Sequence, residues 1–437
     1  MSQSHKHLAF HLVIALVLFP NFLEAQLSWA PAKMMSAEEI AARGVLVPIP
    51  IPTKLSNFRY PFLQEDGSVV FIANDHHKPK DQDGRAGIFK FAPNGEVTTI
   101  TTAGEGLGSS GAKVAGVYAL KVEGGRAVFH VMLENEGSGI ALWENGKLSL
   151  LAATSGSDGF SDFGNPDLSG DIVVFSAKTR HSGQSLYAVN LQGVDRTPVA
   201  IVPHGLAIPG QVGLTFQKFA DNQFADGKDA VFRAYSDEYT PSQGPGPRYA
   251  GVFRVSAFEP DAPKKIVDLS TPLPGAPPGA TFGDYQESAI PADGTTILVN
   301  RSGQLRGIYR ASPGGEIECL VDSTTKIPDL FTGPFTYFNK WVCNAPPWVL
   351  FLGRAKEYFG LFAINWETRE LYLLADSRMV FDGKKIKNAE ISNAAKVDDR
   401  VALMLEFEDG SSGVYVATFE KGLAMKRSPG SVPIARP

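Results

Sequence analysis

The sequence predicts an all-β fold, a seven-bladed β-propeller with four antiparallel strands per blade and an N-terminal strand that closes the ring. Three observations lead to this prediction. A short β-rich core occurs seven times, and each copy is followed in register by a second core of the type Gly-Ile-Phe. The copies recur about every 55 residues, a period typical of propeller blades. The 44 glycines and 30 prolines interrupt almost every stretch that is long enough for a helix.

The two recurring cores are assigned to the second and third strands of each blade, because they are short, apolar and rich in β-branched and aromatic residues. The second-strand cores are 69–71, 127–129, 173–175, 230–232, 296–298, 349–351 and 402–404. The third-strand cores are 87–89, 139–141, 185–187, 251–253, 307–309, 360–362 and 413–415. The clearest complete unit is Phe282–Asp322, in which we expect strands at 282–288, 295–300, 307–310 and 317–321.

The N-terminal region supplies the fourth strand that the last blade lacks. Val45–Pro48, followed by Thr53–Phe58, parallels the fourth strand of the fifth unit and the segment after it. A strand taken from the start of the chain would close the ring and remove an exposed sheet edge. In the alternative, Leu423–Lys426 completes the last blade and the N-terminal strand adds outside it.

The first 25 residues have the features of a secretion signal, which predicts a secreted, periplasmic or cell-surface protein. Two histidines and a lysine precede the apolar run Leu8–Phe19, which is too short to span a bilayer, and Ala25 follows it. The alternative is an anchor that stays uncleaved. We expect a spacer with a short helix over 26–43, the propeller over 44–425, and a tail over 426–437.

Composition limits the classes of partner. The net charge of −5 and the pI of about 6.0 do not suggest nucleic acid. No later run is apolar enough to cross a membrane, and we expect a monomer. Cys319 and Cys343, the two cysteines, lie in adjacent repeats. They either pair in an oxidising compartment or are buried as small hydrophobic residues.

The repeats resemble a family of bacterial secreted or surface proteins with tandem motifs of the type Asn-x-x-Gly-x-x-Ala-Phe. The segments that carry the resemblance are Gln64–Phe71, Pro291–Leu298 and Asn344–Phe351, and several other repeats depart from the spacing. The resemblance covers about Gly44–Met425. It implies a propeller fold and an extracytoplasmic location, and it implies no catalytic residue.

One face of the ring is predicted to bind a ligand, because the loops between second and third strands are long while the turns on the other face are short. Basic residues recur where these loops begin. Together with an acidic loop residue they form the candidate ligand site Lys178, Arg180, Arg233, Asp237, Arg301 and Arg354. Arginine side chains suit carboxylate or phosphate groups. In the alternative these are ordinary solvated loop charges.

The first of these long loops is rich in metal-ligating residue types. The candidate metal ligands are Asp75, His76, His77, Asp81 and Asp83. Neither a standard zinc spacing nor a complete calcium loop is present, so the alternative is a polar exposed loop. We predict no other cofactor.

No nucleophile elbow, phosphate loop or zinc-protease motif occurs in the sequence. The leading hypothesis is therefore a non-catalytic propeller that presents one partly basic face to an anionic, glycan or peptide ligand. The alternative is a carbohydrate-active hydrolase or lyase with acid and base groups at the pore. Asp237 and Glu238 would be candidates for these groups.

Overall fold

The computed structural model describes residues 46–48, 55–75, 87–134, 137–154, 159–236, 249–259, 262–283, 289–301, 305–325, 333–355, 358–381, 383–391 and 400–418. The predicted signal, the spacer up to residue 43 and the tail from 426 lie outside these residues. No helix among the described residues is long and apolar enough to cross a membrane. Among the residues described, one 3-10 turn, Gly108–Ser110, accompanies the strands.

The strands form seven antiparallel sheets, the blades of a β-propeller, which confirms the predicted fold class. Blade 1 contains β2 (Leu55–Leu63), β3 (Val69–Asp75), β4 (Gly87–Phe91) and β5 (Val97–Thr101). Blade 2 contains β6 (Val114–Glu123), β7 (Arg126–Leu133), β8 (Ser138–Glu144) and β9 (Lys147–Ala153). Blade 3 contains β10 (Phe160–Phe163), β11 (Asp167–Ser169), β12 (Ile172–Thr179), β13 (Gln184–Asn190) and β14 (Val199–Val202).

Blade 4 contains β15 (Lys218–Phe219), β16 (Phe224–Asp226), β17 (Asp229–Tyr235), β18 (Ala250–Ser256) and β19 (Lys264–Asp268). Blade 5 contains β20 (Ala289–Ala292), β21 (Thr295–Asn300), β22 (Gly307–Ala311) and β23 (Ile317–Asp322). Blade 6 contains β24 (Tyr337–Ala345), β25 (Trp348–Ala355), β26 (Tyr358–Asn365) and β27 (Leu371–Asp376). Blade 7 contains β28 (Val380–Phe381), β29 (Lys384–Ile391), β30 (Arg400–Phe407), β31 (Ser412–Thr418) and β1 (Leu46–Pro48). In blades 3 and 4 the inner strand is split in two.

The inner strands close a ring around the axis. Each of β2, β6, β11, β16, β20, β24 and β29 contacts the next, and β29 contacts β2. The N-terminal strand β1 pairs with β31 as the outer strand of blade 7, with Val47 opposite Val416. The predicted closure by the start of the chain is therefore confirmed, and it covers an edge that would otherwise be open.

The inner strand of blade 5 does not include Phe282 and Gly283, where the sequence pattern predicts its start. The described strand is Ala289–Ala292, and residues 284–288 lie outside the described residues. Phe282 instead packs from the preceding loop, and its ring lies edge-on to Tyr309 with the centroids 5.0 Å apart. Phe282 is fully buried, so its burial, and not strand pairing, accounts for the apolar residue at this position.

The recurring Gly-x-aromatic pattern of the third strands has a steric cause. In blades 1, 4 and 6 the aromatic ring folds back over the glycine two residues earlier. A Cβ atom on Gly360 would lie 2.7 Å from the Phe362 ring, and one on Gly251 would lie 2.8 Å from Phe253. The same ring stacks on the aromatic residue of the second strand, as Phe362 does on Phe351 with centroids 5.4 Å apart. Glycine is therefore required for this ring packing.

The two ends of the ring differ, but the prediction of long loops between second and third strands was only partly right. These strands are joined by four residues in blades 2, 3 and 7 and by two in blade 6, and the longer connections run from an outer strand to the next inner strand. In blades 2 to 6 only two residues join the inner strand to the second strand, which makes one end plain. We call the other end, where second strands finish and inner strands begin, the loop-rich face. Aspartates anchor some of its loops: the Asp268 carboxylate accepts hydrogen bonds from the Ser270 backbone N–H and the Thr271 hydroxyl, at 2.9 and 3.0 Å.

Neither cysteine forms a disulfide in the structure; Cys343 is fully buried and Cys319 is partly buried. The Cys319 thiol donates to the Asp322 carboxylate at 3.6 Å. Of the two interpretations left open by the sequence, the structure agrees with two cysteines that do not form a disulfide with each other.

Candidate functional site

The predicted basic residues lie at one end of the ring. Lys178, Arg233 and Arg354 are in the last residues of second strands, and Arg301 directly follows one. Because every second strand runs toward the loop-rich face, all four residues lie near that face. That these residues bind a ligand stays a prediction.

Arg301 and Arg354 come from adjacent blades and meet at one tyrosine. The Arg301 guanidinium lies 5.0 Å from the centre of the Tyr337 ring, and its Nη2 donates to the Tyr337 hydroxyl at 3.0 Å. The Arg354 guanidinium lies 6.0 Å from the same ring centre. Tyr337 begins the inner strand β24, directly opposite Arg354 in the sheet register. Both guanidinium groups thus contact the same aromatic ring by cation–π attraction.

Arg306 joins this pair and was not among the predicted residues. Its Nη1 donates to the Thr336 carbonyl at 3.1 Å, next to Tyr337, and the side chain is exposed. No carboxylate among the described residues forms an ion pair with Arg301, Arg306 or Arg354. A sequence signal for Arg306 exists, because it directly precedes the Gly307 that opens a third strand. We call Arg301, Arg306, Tyr337 and Arg354 the arginine cluster.

Lys178 and Arg180 lie away from this cluster, on blade 3. Both side chains are exposed. Arg180 is held in place by two contacts: its Nη2 donates to the Thr154 carbonyl at 3.0 Å, and its backbone N–H donates to the Gly159 carbonyl at 2.7 Å. Lys178 lies opposite Asp162 in the pairing of β10 with β12.

Arg233 differs from the other predicted cations because it is only 6% exposed. Its guanidinium lies 4.7 Å from the centre of the Tyr235 ring. Arg233 therefore lies beneath the surface of the loop-rich face. Asp237 lies outside the described residues.

Blade 7 carries acidic residues where the other blades carry cations, but lysines on its inner strand pair with them. Lys384, Lys385 and Lys387 contact Asp409, Glu408 and Glu406 at 3.2, 2.6 and 2.5 Å. These exposed pairs contribute little to stability. They do neutralise the acidic residues of this blade, so blade 7 neither extends the basic face nor opposes it.

The candidate metal ligands cannot be placed. His76, His77, Asp81 and Asp83 lie outside the described residues, and only the backbone of Asp75, at the end of β3, is described. Within the part of the chain that is described, no three His, Cys, Asp or Glu side chains are grouped as metal ligands.

The ring interior contains an ion pair near the plain end. The Lys121 ammonium lies 3.3 Å from the Asp167 carboxylate, and both residues are buried. The same carboxylate accepts the Ala225 backbone N–H at 2.9 Å, so Asp167 links blades 2, 3 and 4. Burial raises the pKa of Asp167, and the nearby Lys121 charge opposes that shift. This site fits a structural role, because its charge is already compensated.

A family model described as "Family of unknown function (DUF7453)" matches residues 28–306, well over half of the chain. No curated protein sequence is significantly similar to the chain. The Asn-x-x-Gly-x-x-Ala-Phe resemblance stays a prediction.

Several solved structures are similar to this chain. An oligogalacturonate lyase in complex with manganese is 12% identical with a TM-score of 0.52, over 91% of this chain and 100% of that one. A puromycin-hydrolyzing peptidase of Mycobacterium tuberculosis is 12% identical with a TM-score of 0.54, over 90% of this chain and 54% of that one. Prolyl oligopeptidase B of Galerina marginata is 9% identical with a TM-score of 0.52, over 87% and 51%. The chain spans about half the length of both peptidases. At these identities the similarity shows the fold alone.

Proposed function

We propose that this protein, which belongs to the family of unknown function DUF7453, is an extracytoplasmic binding propeller whose loop-rich face takes an anionic ligand. The observation that carries the proposal is the convergence of Arg301 and Arg354 on the Tyr337 ring. Two guanidinium groups at one aromatic ring give this part of the face a local positive charge that an anion can compensate. Each group keeps donors that a carboxylate or phosphate can use in pairs.

The remaining charges of the face support the same ligand class. Arg306, Lys178 and Arg180 are exposed, and none of them forms an ion pair with a described carboxylate. A set of cations on an otherwise acidic protein attracts anions to that end of the ring. We expect binding that weakens as salt concentration rises.

The extracytoplasmic location rests on the sequence of residues 1–25. A positive start, a short apolar run and Ala25 are typical of a secretion signal. N-terminal sequencing of the mature protein tests this part of the proposal, and a protein that keeps Met1 in the cytoplasm would contradict it.

Binding is tested by calorimetry with polyglutamate, polygalacturonate and neutral dextran. We expect the full chain to bind the two polyanions and not dextran. The double variant R301Q/R354Q should lower the affinity for both polyanions about tenfold or more, because each removes a charge-assisted contact. The control K147Q/K228Q removes two exposed charges from turns on the plain face and should leave affinity unchanged.

Equal binding of polyanions by wild type and R301Q/R354Q would contradict the proposal. The similarity to a lyase shows the fold alone, so turnover is tested separately, by the ultraviolet absorbance of an unsaturated product in the polygalacturonate samples as a probe of β-elimination. Cleavage of the polymer would replace the binding proposal with the carbohydrate-active alternative.

A further inference from the structure

Four side chains that the arginine cluster does not use lie together between blades 2 and 3. They are Tyr118 of β6, His130 and Met132 of β7, and Phe163 of β10. The His130 ring centre lies 5.9 Å from that of Tyr118 and 6.4 Å from that of Phe163. The Tyr118 hydroxyl contacts the Met132 sulfur. We call this set the blade-2/3 cleft, and it lies toward the loop-rich face because β7 ends at Leu133.

The upper part of the cleft is apolar and exposed. Tyr118 is 45% exposed and Met132 is 38% exposed, whereas most large hydrophobic side chains of the described residues are buried. The exposure of Tyr118 has a structural cause, because the pairing of β6 with β7 shifts register between Val117 and Ala119. Tyr118 is the extra residue of this bulge, and bulges re-aim side chains at sheet rims and next to binding sites.

The floor of the cleft contains a polar atom whose partner is missing from the described part of the chain. His130 Nε2 is buried and makes no hydrogen bond to any described residue. Burial lowers the pKa of His130, and the charge of Asp162 opposes that shift. A neutral imidazole nitrogen left without a partner costs about 1 to 3 kcal/mol, so such atoms are rare in folded proteins. A ligand group reaching into the cleft would supply the partner.

The rim of the cleft carries one carboxylate and one ammonium group. Asp162 lies opposite Lys178 in the β10–β12 register, and both side chains are exposed. Asp162 Oδ1 accepts a hydrogen bond from the backbone N–H of Phe163 at 2.9 Å. The carboxylate accepts hydrogen bonds from hydroxyl groups, and the neighbouring ammonium group can pair with a carboxylate of the ligand.

We propose that the blade-2/3 cleft is a subsite for one sugar ring of a glycan. The exposed Tyr118 ring packs against the apolar face of the sugar, and ligand hydroxyls pair with Asp162 and with His130 Nε2. Lys178 is placed to meet the carboxylate of a sugar acid. The inference rests on the proposed function, since it names the ligand class of the same face. It does not require the arginine cluster.

The test is calorimetry with trigalacturonate and, separately, polyglutamate. We expect Y118A and H130N to weaken trigalacturonate binding about tenfold or more, and to leave polyglutamate binding within twofold. The matched control is F258A, because Phe258 is also 45% exposed but lies beyond the end of a third strand, on the plain face. Circular dichroism checks that each variant is folded. In the wild type, trigalacturonate should also shift the ring ¹⁵N signals of one histidine, which are absent in H130N.

The outcomes separate this inference from the proposed function. If wild type does not bind trigalacturonate, or Y118A and H130N bind it as wild type does, the cleft is not a sugar subsite. Arginine-dependent binding of polyglutamate would still support the proposed function. If trigalacturonate binding depends on Tyr118 and His130 while R301Q/R354Q binds both ligands normally, the cleft inference holds and the arginine proposal fails.

Discussion

The Tyr60 backbone N–H donates a hydrogen bond to the Glu390 carboxylate at 3.1 Å, joining the first inner strand to the last. The two residues are 330 positions apart in sequence, so this contact lies at the seam where the ring closes. Tyr60 has a φ of 50°, unusual for a residue other than glycine. Its register with β3 shifts on both sides of Arg59. The seam therefore combines backbone strain with a largely buried carboxyl group.

We predict that E390Q stabilises the fold at neutral pH and has no effect in acid. Burial raises the pKa of Glu390, although the Tyr60 hydrogen bond and the Arg59 charge oppose the shift. In the folded state the ionised form is therefore disfavoured relative to the unfolded chain, and stability falls as pH rises from the ordinary glutamate pKa to the raised one. Glutamine is neutral, and its amide oxygen still accepts the Tyr60 N–H.

Urea unfolding at about pH 7 and about pH 4 measures this difference. E105Q is the control. Glu105 is exposed, so we expect this variant to be as stable as the wild type at both pH values. A lower stability of E390Q at neutral pH would mean that the attraction to Arg59 outweighs the burial of the charge.

Gly360 gives a prediction about the repeat itself. G360A should lower the free energy of unfolding by about 1 to 3 kcal/mol, because the new methyl group would lie 2.7 Å from the Phe362 ring and displace it from the stack on Phe351. Gly106 has open space around its Cβ position and no positive φ, so G106A is the matched control and should be nearly neutral. Chemical denaturation of both variants measures the effect. A G360A protein as stable as wild type would show that the ring packing does not require glycine.

Removal of the closing strand β1 tests whether this strand stabilises the propeller. A chain that begins after Pro48 lacks β1 and leaves one edge of β31 without its partner. We expect its thermal midpoint to fall by at least a few degrees and its tendency to aggregate to rise, because an open sheet edge pairs with other chains. Calorimetry and light scattering measure the two effects. A chain cut after Ala42 keeps β1 and is the control; equal behaviour of the two chains would show that β1 is dispensable.

The blade count, the strand register and the closing strand were predictable because each depends on local pattern. A glycine two residues before an aromatic ring occurs in the third strands of blades 1, 4, 5, 6 and 7. The start of the inner strand of blade 5 was misplaced because Phe282 looks like a strand residue but is buried by Tyr309. Arg306, Tyr337 and His130 were missed for a related reason. Their roles depend on which side chains face each other across strands and blades, and a single sequence does not contain that information.

The last prediction concerns the two thiols. An oxidising compartment would allow them to pair, whereas the structure contains no disulfide. Burial raises the pKa of Cys343 to about 12, and burial together with the Asp322 carboxylate raises that of Cys319 further. Because the thiolate is the reactive form, neither cysteine should react quickly with a disulfide reagent in the folded protein at about pH 8. Both should react after denaturation, and C343A should then show one thiol. If the denatured secreted protein shows no thiol until it is reduced, the cysteines pair after export, and the segment between Cys319 and Cys343 must differ from the arrangement described here.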